Sequence, residues 1–147
     1  SFSAPSFAAA KLGAEKLTLV DIDENSVKIA KQNLEKNGIS PDKYEAFCGN
    51  ICEDKALRDK IGTGYDVVCA NIVADVLIEM SDYLMGFLND DGVVIASGII
   101  KSRGEELYPY LKKQGFQMVG VRDSKEWIAI MCTTPRNSCL IRDYDDK

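Results

Sequence analysis

The sequence predicts an α/β fold: a mostly parallel sheet flanked by helices and closed by an antiparallel C-terminal hairpin. Three observations predict it. Compact apolar strands alternate along the chain with amphipathic helices, the signature of successive βαβ units. Several of those strands run straight into a polar residue, Asp21, Asn71 or Ser97, at the carboxyl end where open parallel sheets gather their ligands. The last two strands are separated only by Arg122 to Lys125, too short a link for a crossover, so they must form a hairpin.

The elements follow in order. Phe7 to Leu12 is Ala-rich and helical, with Pro5 suited to the first turn and Gly13 to the stop. Lys16 to Val20 is a strand ending on Asp21. From Glu24 to Asn37, Val27, Ala30 and Leu34 recur at helical spacing and Gly38 ends the helix. Tyr44 to Cys48 is a short strand followed by a turn at Gly49-Asn50, and Lys55 to Ile61 a brief helix. Tyr65 to Ala70 is a buried strand ending on Asn71. Val76, Leu77, Met80, Leu84 and Leu88 mark a long amphipathic helix. Gly92 to Ala96 is the next strand, with a turn at Ser97-Gly98. A helix from Arg103 to Lys113 and strands Gln117 to Val121 and Glu126 to Cys132 complete the set. One domain over residues 1–134 and an irregular polar tail over 135–147 are expected.

Composition narrows the function. The chain has 147 residues, 46% hydrophobic and 28% charged, with a net charge of −5. That is enough for one core. Dispersed Lys and Arg in an acidic chain argue against direct nucleic-acid binding. The apolar run within Asp91 to Ile100 is half a membrane span, and no basic segment followed by an apolar run opens the chain. Neither a membrane protein nor a retained secretory signal is expected. The chain has no His, which removes Ser-His-Asp hydrolysis, Cys-His nucleophiles and His-ligated zinc. Five Cys without a CxxC suit a reducing cytoplasm. Cys69 and Cys132 read as small core hydrophobes; Cys48 and Cys52 are the candidates for redox activity. No metal site is expected, and the oligomeric state is left open.

The strand ends supply the candidate site. Asp21 can accept hydrogen bonds from both hydroxyls of a ribose, while Asp23 is better placed to cap the following helix. The acid alone does not separate a nicotinamide cofactor from S-adenosylmethionine. Asn50 and Ile51 can flank an adenine, the Asn reading its edge and the Ile covering its face; a plain Gly-Asn turn explains them equally well. Asn71 can offer its amide oxygen to an amine and its NH2 to a cofactor carboxylate; as a helix N-cap it would do neither.

Taken together, AAAKLGAEKLTLVDIDENSV, YDVVCANIVADVL, GVVIASGII and EWIAIM resemble the catalytic domain of the bacterial ribosomal protein L11 methyltransferase family, over Phe7 to about Cys132. The Asn71-to-Ala74 run with Ser97-Gly98-Ile99 is the specific part of that match; VDID is common to many methyltransferases. The resemblance implies a Rossmann-like class I methyltransferase sheet. It also implies a methyl transfer from S-adenosylmethionine to lysine ε-amines and the terminal α-amine of a ribosomal protein. It places Asp21 at the ribose and Asn71 beside the methyl-transfer centre. Such a site needs positioning and desolvation more than acid–base groups.

Relative to that family the first strand is missing, and Ser1 and Ser3 stand where the last glycines of an Asp-x-Gly-x-Gly-x-Gly loop are expected. An incomplete fragment is therefore expected, binding S-adenosylmethionine weakly and transferring methyl groups negligibly by itself. The strands ending at Asp21 and Asn71 would flank the missing one. They would then either pair directly or be bridged by a partner chain. Other readings are a small-molecule or other amine methyltransferase, an inactive methyltransferase-like interaction module, and, disfavoured by the terminal hairpin, a nicotinamide dehydrogenase.

Overall fold

The structure is a computed structural model that describes residues 8–137. Phe7, Ser1, Ser3, Pro5 and Cys139, on which some expectations rest, lie outside the described residues. The chain divides into two compact units, one up to Ile61 and one from Gly62.

The first unit is a βαβ motif. Residues 8–11 are helical, then β1 (Leu17–Asp21) leads through α1 (Glu24–Lys36) to β2 (Tyr44–Cys48) and α2 (Lys55–Ile61). β1 and β2 pair in parallel, from Leu17 opposite Tyr44 to Asp21 opposite Cys48. Helix α1 buries Val27, Ala30 and Leu34, the expected stripe, and Leu34 packs with Leu17, Leu19, Ala30 and Tyr44. Its C-terminus closes as the sequence predicts. Gly38 takes φ +77°, its N–H donates to the Glu35 carbonyl and the Ile39 N–H donates to the Leu34 carbonyl, both at 3.0 Å, a Schellman closure whose left-handed residue is favourable only as glycine.

Asp23 caps the start of α1. Its carboxylate accepts from Asn25 N–H (3.1 Å), Ser26 N–H (3.2 Å) and the Ser26 hydroxyl (2.8 Å). The Ser26 hydroxyl, then the Asn25 N–H, hold its carboxyl below the ordinary aspartate range. A carboxylate whose folded pKa is depressed stabilises the fold above its unfolded pKa and loses that contribution as pH falls through the folded value. Asp23→Ala should therefore lower the urea midpoint at neutral pH, and the gap from wild type should close as pH falls below about 4. A gap independent of pH would show that Asp23 acts otherwise.

The second unit is a four-stranded sheet with two helices. β3 (Tyr65–Asn71), α3 (Ala74–Phe87), β4 (Leu88–Ile100), α4 (Gly104–Lys113), β5 (Gln117–Ser124) and β6 (Trp127–Thr133) follow in order. The strand order is β3-β4-β6-β5. β3 and β4 are parallel, whereas β6 is antiparallel to both β4 and β5. The terminal hairpin is as expected but tighter: Ser124 pairs with Trp127, leaving Lys125 and Glu126 as a two-residue loop with Lys125 at φ 54°. The core joins Leu77 and Leu84 of α3, Val94, Ala96 and Ile99 of β4, Leu107 and Leu111 of α4, and Ile128, Ile130 and Cys132 of β6. No helix among the described residues is long and apolar enough to cross a membrane.

Four expectations need correction. Strand β4 runs from Leu88 to Ile100, not from Gly92 to Ala96, because the ladder is taken up outside the expected run, at Leu88 against β3 and at Ile99 and Ile100 against β6. Leu88 accordingly leaves α3 and pairs with Tyr65. β3 is not buried on both faces: Val67 is 51% exposed and Cys69 is exposed. Cys69 is thus no core residue, unlike Cys132, which is buried and whose thiol burial pushes up to about 12. Of the two arrangements left open for β1 and β3, direct pairing is absent, and the six strands of the described residues form two separate sheets. The start of the tail is held to β4. Asn137 donates its side-chain N–H to the Asp91 carbonyl at 2.9 Å, and Arg136 pairs with Asp90.

Candidate functional site

In the first unit the candidate residues share one strand end. Beyond the pairing of Asp21 with Cys48, the Gly49 N–H donates to the Asp21 carbonyl at 2.9 Å. The Asp21 side chain and the Gly49-Asn50-Ile51 turn therefore leave adjacent parallel strands together, at the carboxyl end where open sheets bind ligands. Asp21 is half-buried. One of its oxygens accepts the Asp23 N–H at 2.9 Å, and since an ionised carboxylate has about four acceptor positions, capacity for two further donors is left. With Asp23 committed to capping, the two acids divide their work as their spacing suggests.

The turn at Asn50 is held from within. Its side-chain oxygen accepts the Cys52 N–H (3.0 Å), and its carbonyl accepts from Glu53 (3.2 Å) and Asp54 (2.9 Å). Asn50 therefore builds the turn. Ile51 is half-buried. Arg58 of α2 donates to the Ile51 and Cys52 carbonyls, and Asp54 accepts the Leu57 N–H at 2.9 Å. Sequence reasoning missed Arg58; a lone Arg on a short helix gives no signal of what its guanidinium reaches. Neither Cys48 nor Cys52 is in a disulfide among the described residues, and the Cys48 thiol donates to the Ile22 carbonyl at 3.5 Å.

In the second unit the structure brings Asn71 together with Ser97 and Gly98. Asn71 ends β3 opposite Ser97, and the Ile72 N–H donates to the Ser97 carbonyl at 3.1 Å. Helix α3 starts only at Ala74 with Val73 as its N-cap. Asn71 is thus not the cap, and its exposed side chain is free of that duty. Arg103 fastens the segment after it, donating to Asp75 and to Glu106, both at 2.6 Å. Those two carboxylates link the first turns of α3 and α4, and the Arg103 guanidinium holds the Asp75 carboxyl below its ordinary range.

Residues 5–135 match the family model of ribosomal protein L11 methyltransferase (PrmA). The chain belongs to this family. It is 40% identical over 124 residues to the ribosomal protein L11 methyltransferase of Desulforamulus reducens, covering 84% of this chain and 38% of that one. It is 41% identical over 126 residues to that of Acetivibrio thermocellus, covering 86% and 38%. The chain thus spans less than half the length of these family members. Among solved structures, the ribosomal protein L11 methylase of Lactobacillus delbrueckii subsp. bulgaricus superposes with a TM-score of 0.79 at 28% identity, covering 88% of this chain and 64% of that one. A putative methyltransferase complexed with SAH (S-adenosylhomocysteine) superposes with a TM-score of 0.75 at 13% identity, covering 91% and 43%, which speaks for the fold. The fold is that of the class I methyltransferases, as expected from the sequence.

Proposed function

We propose that this chain supplies part of the active site of an S-adenosylmethionine-dependent N-methyltransferase acting on lysine ε-amines and the terminal α-amine of a ribosomal protein, in the cytoplasm. Membership of the L11 methyltransferase family supports the reaction. The observation that carries the site is the shared strand end of Asp21 and the Gly49-Asn50 turn, joined by the 2.9 Å bond from Gly49 N–H to the Asp21 carbonyl.

Bound S-adenosylmethionine would supply a sulfonium methyl for in-line attack by a deprotonated amine. The residues here fit it. The Asp21 carboxylate has acceptor capacity for a ribose diol and carries the charge that shortens such bonds. The turn at Asn50 and Ile51, stiffened by its internal bonds and by Arg58, offers backbone N–H groups and an apolar side chain for an adenine. Asn71 presents a carboxamide that can accept from the incoming amine and donate to a carboxylate. Orientation by such groups is the main source of rate in a transfer that asks no proton of the protein beforehand.

A titration of the isotope-labelled chain with S-adenosylhomocysteine, followed by amide NMR, tests this reading. Shifts are expected at Asp21 to Asp23, Gly49 to Cys52 and Asn71 to Val73, with the β5–β6 loop at Lys125 and Glu126 unmoved. Shifts confined to other residues would refute it.

A further inference from the structure

The strand bulge beside Asn71 has a geometry that a turn does not require. Ala96 pairs with Ile130 and Ile99 with Ile128, so Ser97 and Gly98 together oppose the single residue Ala129, a β-bulge that re-aims the chain locally. Gly98 takes φ +77°. A Cβ placed on it would overlap the side-chain oxygen of Asn71 and lie 3.6 Å from both Asn71 Cγ and Ile72 N. Two separate demands meet at one residue. A left-handed backbone favours glycine but tolerates Asn or Asp, whereas any side chain on Gly98 would have to push the Asn71 carboxamide out of the place it occupies in this structure.

We propose that Gly98 is a positioning residue: its bare α-carbon on the bulge is the seat that holds the Asn71 carboxamide at the end of β3. The proposal rests on the reading that Asn71 faces the methyl-transfer centre and the cofactor carboxylate, and it deepens that reading by naming what fixes the carboxamide. An Asn side chain on an exposed strand end has two torsions to lose on binding. Packing its oxygen against a glycine narrows that freedom beforehand, so less of the cost is met when ligand binds.

The test compares S-adenosylhomocysteine with methylthioadenosine, which keeps the nucleoside and lacks the amino-acid carboxylate. For Gly98→Ala and for Asn71→Ala, the dissociation constant for S-adenosylhomocysteine should rise about 10-fold, while that for methylthioadenosine should stay within about 2-fold. The Asn71→Ala/Gly98→Ala double variant should bind S-adenosylhomocysteine no more weakly than either single one, since both remove the same contact. Equal weakening of both ligands by Gly98→Ala, or additive losses in the double variant, would overturn the proposal. Should Gly98→Ala not fold, Asn71→Gly/Gly98→Ala should fold, because the overlap is gone; failure of that variant too would show that only the backbone demands glycine. If Asn71→Ala leaves both ligands unaffected, the reading of Asn71 fails. The seat itself is then judged by thermal melting, which should show Gly98→Ala costing less in the Asn71→Gly background than in wild type; equal costs in the two backgrounds would overturn it.

Discussion

Leu77→Ala should destabilise the second unit by about 3 kcal/mol, roughly a hundredfold in its unfolding equilibrium. Leu77 is 0% exposed and sits in the cluster that joins α3 to β4, α4 and β6. Removing three carbons there loses their transfer free energy and leaves a cavity that sheet and helices can close only in part. Val67→Ala is the control. Val67 is apolar too but 51% exposed, and should cost less than about 1 kcal/mol. Urea unfolding of the two variants checks the pair, and similar midpoints would mean that the core is not where the structure puts it.

Asp21→Ala should weaken S-adenosylhomocysteine binding at least ~10-fold. Each charge-assisted hydrogen bond to a ribose hydroxyl is worth about 1.5–3 kcal/mol when desolvated and less in an open site, and Asp21 is only half-buried. The lower end for two such bonds is enough for the tenfold loss. Asp21→Asn keeps an acceptor but not the charge and should fall between. The bond from Asp23 N–H to the Asp21 carboxylate is lost in Asp21→Ala, but Asp23 still caps α1 through Asn25 and Ser26. The variant should therefore keep its helical circular dichroism while losing affinity.

The sequence made the strand ends legible because a strand's end is a local event. Asp21 and Asn71 each close an apolar run, and the α1 stripe with Asp23 before it and Gly38 after it depends only on neighbours in the chain. What stayed hidden is set by neighbours in space. The apolar run at Tyr65 to Ala70 does not say whether both of its faces are covered, so by itself it reads as buried throughout, Val67 and Cys69 included. Asn89 to Gly92 and Ser97-Gly98 carry turn residues, yet Leu88 pairs with β3 before the first and Ile99 and Ile100 pair with β6 after the second, so the strand runs on through both. The same local bias leaves Asn71 as a plausible cap. Only the helix start at Ala74 releases it, and only the fold shows its oxygen against Gly98. Ser97-Gly98 signalled its importance as a motif, but the reason for the glycine lies on another strand.

The strand-end residues of this chain should bind S-adenosylmethionine rather than another nucleotide cofactor. Isothermal titration of the 147-residue chain with S-adenosylhomocysteine and, separately, with NAD decides between them. S-adenosylhomocysteine should bind weakly but saturably, with Asp21→Ala reducing the affinity at least ~10-fold, and NAD should give no saturable heat. Saturable NAD binding, or S-adenosylhomocysteine binding that Asp21→Ala leaves unchanged, would contradict this expectation.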